Sequence, residues 1–261
     1  MGLIKANSVK VPGWAKIERY HPNYNVVLDY ARTQGIEVPE ADIRKVQDQY
    51  FYRPMAPFWS QADFLHLFAG GDDSDFACIN VVNPGTYDCM PMNNPLYLEK
   101  LGFSGQPNDT HLRINYNQQN NAVNYSSDSA AIMVFVHLPN VTGNETYLGS
   151  SPANRIYTNI GAAIDNISGI FNVHYTDRIL NRRGLHHLDF DGNVVRFYDD
   201  GIYVASASGT PQEPDSANFK YMKKTGGGSL IGGGYVGSSL RDDAIVVSNI
   251  WNETMNQIDA L

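Results

Sequence analysis

The chain has 261 residues, with 19 Lys and Arg against 27 Asp and Glu, a net charge of −8 and a pI near 5.3. That length suits one all-β domain with a smaller appendage and suffices to bury a core. The acidic balance, with basic residues scattered apart from the short pairs Arg182-Arg183 and Lys223-Lys224, excludes the electrostatic footprint of a nucleic-acid binder.

The first twenty residues show no periodicity and are broken by Pro12-Gly13. They contain no apolar run of signal-peptide length, and Met1-Gly2 is followed by Ala6 where a myristoylation site needs Ser or Thr. No stretch of the sequence is apolar enough to span a bilayer. We read residues 1–22 as an extended anchoring arm whose Trp14, Ile17 and Tyr20 bind a partner.

Residues 23–70 predict a helical segment. Val26, Val27 and Tyr30 are expected on one face, and Pro39 opens a second helix to about Tyr50 with Ile43 and Val46 inward. Ser60 is expected to cap a third helix over 62–68, with Phe64, Leu65 and Phe68 at helical spacing and Gly70-Gly71 ending it.

From Asp75 on, the pattern is β, so residues 71–261 predict a sandwich ending in an amphipathic helix. Phe76 to Val82 reads as a strand. Cys78 and Cys89 flank an Asn83–Thr86 turn. Hairpin register would set Cys89 opposite Asn80 and leave Cys78 diagonal to it, too far for a disulfide, so two free thiols are expected. Leu112, Ile114 and Tyr116 alternate with polar residues, and Ala130 to Leu138 is a continuous apolar run expected at a sheet centre. Further strands are expected at 155–160, 169–174, 219–223 and 229–231. The clearest signal is the meander of residues 186–206, HHLDF-DG-NVVRFYD-DG-IYVAS. Its Asp191-Gly192 and Asp200-Gly201 pairs suit tight hairpins that need positive φ. Finally, Val247, Ile250, Trp251, Thr254 and Ile258 form one face of a C-terminal helix, with Ser239 and Asp242 spaced as a capping box. Eleven or twelve short strands predict a mainly β, antiparallel sandwich or jelly roll.

Chemical motifs are sparse. The acidic turn Asp72-Asp73-Ser74-Asp75 lacks the spacing and terminal Glu of a calcium loop and reads first as a connector, with Ca2+ a weak alternative. Of His186 and His187, only His187 can share a strand face with Asp189, and one His with one Asp do not make a metal site. The glycines at 226–228 and 232–234 lack the Lys of a phosphate loop and read as close backbone approach. The seven Glu include only one close pair, Glu37 and Glu40, in the helical region, which argues against a jelly-roll glycosidase. There is no G-x-S-x-G elbow. No catalytic residue, metal or cofactor is expected. Sixteen Tyr and many Asn suit sugar stacking or polar interfaces. Tyr116, Asn117 and Tyr125 in the polar loop, and Tyr198 and Tyr203 in the second hairpin, are the candidate carbohydrate-binding residues.

The motif order Ser74-Asp-Phe-Ala77…Asn80, Leu101-Gly-Phe-Ser-Gly105, Ile114-Asn-Tyr-Asn117 and Ser129–Val136 resembles the concanavalin A-like (laminin G-like) jelly-roll domain of tailed-bacteriophage virion proteins. Two departures are Val81-Val82, where the family commonly has Trp, and a Met-rich turn over 83–95. The resemblance implies a non-enzymatic structural protein of the particle: a capsid decoration, head fibre or tail component located in the virion, held to other virion proteins by its arm and oligomeric there. The alternative it implies is a carbohydrate-binding receptor-recognition module of a tail fibre, with a host surface glycan as partner. Neither nucleic acid nor membrane is implied as a partner.

Overall fold

The structure is a computed structural model that describes residues 20–261 apart from 106–108, 127, 140–144, 151–154, 160–163, 169–173, 177–182, 209–215 and 225–228. Helix α1 spans Pro22–Gln34. Proline suits its first turn because the N–H it lacks has no partner there. Gly35 ends it at φ 73°, a left-handed conformation that returns its N–H to the Arg32 carbonyl. The buried stripe is Tyr24, Val27, Leu28 and Ala31, so the expected face rotates and Val26 points to solvent. Helix α2 (Ala41–Val46) runs into a π-turned stretch, Gln47–Tyr52, a single turn α3 (Arg53–Met55) and a 3₁₀ segment, Ala56–Gln61. The Tyr24 ring stacks on Tyr52 at 4.0 Å, which fastens α1 to the π turn.

Fifteen strands follow among the described residues. They are β1 (Ala62–Leu67), β2 (Cys89–Met92), β3 (Leu96–Leu98), β4 (Gly102–Ser104), β5 (His111–Ile114), β6 (Ser129–Leu138), β7 (Glu145–Gly149), β8 (Arg155–Asn159), β9 (Ile164–Ser168), β10 (His174–Thr176), β11 (Gly184–Asp191), β12 (Val194–Asp199), β13 (Ile202–Ser208), β14 (Lys220–Lys224) and β15 (Leu230–Gly237). Single helical turns α4 (Ser74–Ala77) and α5 (Gln118–Asn121) interrupt them, and α6 (Ala244–Asp259) closes the chain. Every strand pairing is antiparallel. One sheet runs β13-β12-β11-β6-β15-β4-β3, with β1 also paired to β15, and the other runs β10-β9-β8-β7-β14-β5-β2. The architecture is the expected β-sandwich jelly roll flanked by N- and C-terminal helices.

Two apolar layers result from the period-2 alternation of β6. Ile132, Val134 and Val136 face inward with Leu112, Tyr147, Tyr221, Leu188 and Phe190, filling the space between the sheets. Met133 and Phe135 face outward and join Leu65 of β1 in a cluster with Leu28, Phe51 and Trp251 of the helical layer. Burial on both faces explains why β6 reads as an unbroken apolar run. Helix α6 buries the expected Val247, Ile250, Trp251, Thr254 and Ile258.

Four sequence expectations are corrected. Residues 62–67 form a fully buried strand rather than a helix, because Phe64 packs between the sheets while Leu65 packs under the helices, which is strand alternation. Residues 76–82 are not a strand. Asp73 caps α4 through the Asp75 and Phe76 amides, and bends follow. The Cys89 amide bonds the Cys78 carbonyl at 2.8 Å, so Cys89 lies opposite Cys78 rather than Asn80. Both are buried free thiols, and burial pushes both up in pKa. The Ser239–Asp242 capping box does not form either, because the Ser239 hydroxyl donates to Asp189 at 2.7 Å and α6 begins at Ala244 after a 3₁₀ turn, Arg241–Asp243.

The glycines of β15 act as expected. A Cβ on Gly233 would lie 2.3 Å from the His66 carbonyl oxygen and 2.7 Å from the Trp251 ring. Only a bare backbone lets β15 pass between β1 and α6.

Candidate functional site

The 117–125 loop is a structural clasp. The Asp63 carboxylate, on β1, accepts from the Tyr116 hydroxyl at 2.7 Å and from the amides of Val123, Asn124 and Tyr125 at 3.1, 2.7 and 3.0 Å. Tyr116 is 0% and Tyr125 5% exposed. The Asn117 side chain caps α5 by accepting the Asn120 amide at 2.9 Å. Tyr116 and Tyr125 thus present no ring to solvent, because the buried Asp63 engages the Tyr116 hydroxyl and the Tyr125 amide, which a polar loop composition does not reveal. Tyr20 is likewise engaged within the chain, packing edge-on against Tyr24 at 5.4 Å while its hydroxyl accepts from Arg44 at 3.2 Å. Trp14 and Ile17 lie outside the described residues.

The second hairpin keeps its two candidates together. Asp199 pairs with Ile202, so Asp200 (φ 50°) and Gly201 (φ 75°) are the central residues of the turn, both left-handed as a type I′ turn requires. In the first hairpin Asp191 pairs with Val194, so the turn is Gly192-Asn193 and Asp191 is released to act as a side chain. Register places Tyr198 opposite Tyr203 and Arg196 opposite Ser206, and directly opposed residues share a face. That face is the outer one, away from the inter-sheet core. Tyr203 is 53% exposed, its ring 6.0 Å from Tyr198, and its hydroxyl donates to Ser206 at 2.8 Å. Tyr198 is the buried floor, stacked on His187 at 5.1 Å.

Beside this shelf, where α6 begins, is an open groove of about 230 Å³ lined by Ser129, Asp191, Ser239, Leu240, Arg241, Asp242 and Asp243. Asp191 Oδ2 accepts from Arg196 at 3.3 Å and from the Arg241 guanidinium. Arg241 also grips both oxygens of Asp242, at 3.0 and 3.5 Å. Hydrogen bonding and charge in this pair hold the Asp242 carboxyl below its usual range and raise the guanidinium. Two of the lining residues are held from beneath by the buried Asp189, which accepts from the Ser239 hydroxyl at 2.7 Å and from the Leu240 amide at 2.8 Å. Sequence reading missed Asp191, Arg241 and Asp242. Their one signal is three charged residues in a row, Arg241-Asp242-Asp243, just ahead of an amphipathic run.

The two histidines of β11 alternate as a strand demands. His187 Nε2 is 3.4 Å from Asp189 on the helix side, and His186 Nδ1 is 3.1 Å from Asp199 on the inter-sheet side, all four side chains being 0–1% exposed. The acidic turn is a connector, with Asp73 capping α4 and also accepting the Glu37 amide at 3.2 Å. Among the described residues no group of three His, Cys, Asp or Glu is placed to hold a metal ion, and no helix is long and apolar enough to cross a membrane. Asp88 likewise serves the backbone, accepting from the Asn80 and Gly85 amides at 2.8 and 3.1 Å and from the Tyr30 hydroxyl at 3.2 Å. Asp63, Asp73, Asp88 and Asp189 thus all bind main-chain N–H groups.

No protein-family model matches the chain. No curated protein matches it either. Solved structures do share the fold. Trypanosoma rangeli sialidase in complex with sialic acid superposes with a TM-score of 0.52 at 13% identity, over 74% of this chain and 33% of its own. The botulinum neurotoxin serotype D binding domain gives 0.51 at 8% identity, over 76% and 53%. The serotype D ligand-binding domain in complex with N-acetylneuraminic acid gives 0.51 at 9% identity, over 75% and 52%. This chain spans about half the length of the toxin domains and a third of the sialidase. At such identities the likeness is one of fold, and it fits a concanavalin-like jelly roll.

Proposed function

We propose that the chain is a non-catalytic carbohydrate-binding module whose site is the outer face of β12 and β13 with the groove at the start of α6. The carrying observation is the exposed Tyr203 ring on its Tyr198 floor, flanked by Arg196, Ser206 and the Asp191–Arg241–Asp242 network. An apolar ring face beside clustered acceptors and donors is what a sugar presents to and requires of a protein. Two supporting facts are the fold shared with a sialidase holding sialic acid and a toxin domain holding N-acetylneuraminic acid. The commitment of Asp63, Asp73, Asp88 and Asp189 to backbone amides supports the non-catalytic reading, since a general acid or base must be free to exchange its proton with substrate. A glycan array probed with the wild type and with Tyr203→Ala tests the reading. We expect selective binding by the wild type and a loss of about tenfold or more in the variant, the scale of an aromatic anchor. Equal binding by both removes the shelf.

The motif order of residues 74–136 supports a setting for this module on a bacteriophage particle, as a decoration, head fibre or tail component held by residues 1–20 to other virion proteins. Deleting residues 1–20 is expected to abolish incorporation while the domain stays folded. Normal incorporation of the truncated chain would refute that setting.

A further inference from the structure

Building on the carbohydrate-binding reading, we propose that the groove at the start of α6 is a subsite for an uncharged sugar diol, and that the module selects neutral glycans over carboxylated ones. The argument is one of charge and valence. Three groove carboxylates, Asp191, Asp242 and Asp243, face two guanidiniums, Arg196 and Arg241, which leaves one net negative charge (−3 + 2 = −1). Both guanidiniums are already engaged: Arg241 spans Asp242 and Asp191, and Arg196 reaches the same Asp191 oxygen. A ligand carboxylate would meet this net negative charge and compete with Asp191 and Asp242 for the same two guanidiniums. Carboxylate acceptors remain open, by contrast. Both guanidinium bonds go to Oδ2 of Asp191, which leaves Oδ1 to accept a ligand hydroxyl, and the Asp243 side chain caps nothing at the start of α6. Each hydroxyl of a sugar diol donates one hydrogen bond, so neighbouring hydroxyls match a row of acceptors, and a donor-free carboxylate does not. An arginine held by two aspartates also keeps these oxygens in place, so binding does not have to order them.

The likeness of fold to two structures containing sialic acid makes the contrast testable. The full chain would be titrated against matched pairs of oligosaccharides with and without a terminal sialic or uronic acid, at low and at physiological salt. The neutral member is expected to bind about tenfold tighter at low salt, as one like charge within a few ångströms predicts, with the gap shrinking as salt screens it. Asp243→Asn, which removes one groove charge and one carboxylate acceptor without breaking a described hydrogen bond, is expected to weaken binding of the neutral member and to narrow the gap between the two. Equal or tighter binding of the acidic members overturns the selectivity and leaves the carbohydrate-binding reading standing. Failure of both members to bind overturns both readings.

Discussion

At the scale of single residues the division is between side chains that hold the fold and side chains left over. Asp63 is of the first kind. Its carboxylate satisfies one buried hydroxyl and three amides, so removing it strands all four. Asp63→Ala is expected to cost about 3 kcal/mol or more, and Tyr116→Phe, which removes one of those bonds, about 1–3 kcal/mol, both read by urea unfolding. Tyr203 is of the second kind. Its truncation is expected to change stability by less than about 0.5 kcal/mol, as for an exposed residue, while glycan affinity falls. If Tyr203→Ala unfolds the protein, its ring is part of the core packing and the shelf loses its anchor.

At the scale of elements, two glycines separate backbone strain from crowding. Gly192 has φ 59° and nothing within 4 Å of where a Cβ would sit, whereas at Gly233 a Cβ meets a carbonyl at 2.3 Å and the Trp251 ring at 2.7 Å. Gly192→Ala is expected to lose about 1–2 kcal/mol for its left-handed turn. Gly233→Ala must push β1 or α6 aside and is expected to leave little folded protein, by circular dichroism and melting. The same elements show what the sequence made legible. The meander, β6 and α6 were readable because each has one strong local signal: primed-turn residues, an unbroken apolar run, or a 3.6-residue stripe. Strand β1 was misread because Phe64, Leu65 and Phe68, buried on both faces of a strand and its end, also fall at helical spacing, and only the pairing with β15 separates the two. The site was half legible. Register alone brings Tyr198 beside Tyr203, but the Asp191–Arg241 contact joins residues 50 apart in sequence, and no local spacing announces it. The 117–125 loop misled for the same reason, since its partner Asp63 lies 53 residues or more upstream.

At the scale of the whole molecule, burial of histidine makes stability depend on pH. Desolvation lowers His66 to about 3, and desolvation with the nearby Arg183 charge lowers His137 to about 4. Unfolded histidine titrates near 6.5, so between about pH 6.5 and 4 the unfolded chain binds two protons that the folded chain does not. The stability these residues contribute is complete above pH 6.5 and falls on acidification, by about 2.7 kcal/mol per pH unit when both are counted. Chemical unfolding midpoints measured from pH 7.5 to 4.5 are expected to drop with that slope, and His137→Phe is expected to make it shallower. A flat profile would mean that these rings are protonated while folded. The proposed function rests at this scale on where a glycan would meet the sandwich. The most direct measurement is a backbone-amide NMR titration with the tightest-binding glycan. The account predicts shifts confined to Arg196, Tyr203, Ser206, Asp191 and the start of α6, with residues 117–125 unmoved. Shifts centred on the 117–125 loop, with the β12–β13 face silent, would contradict it.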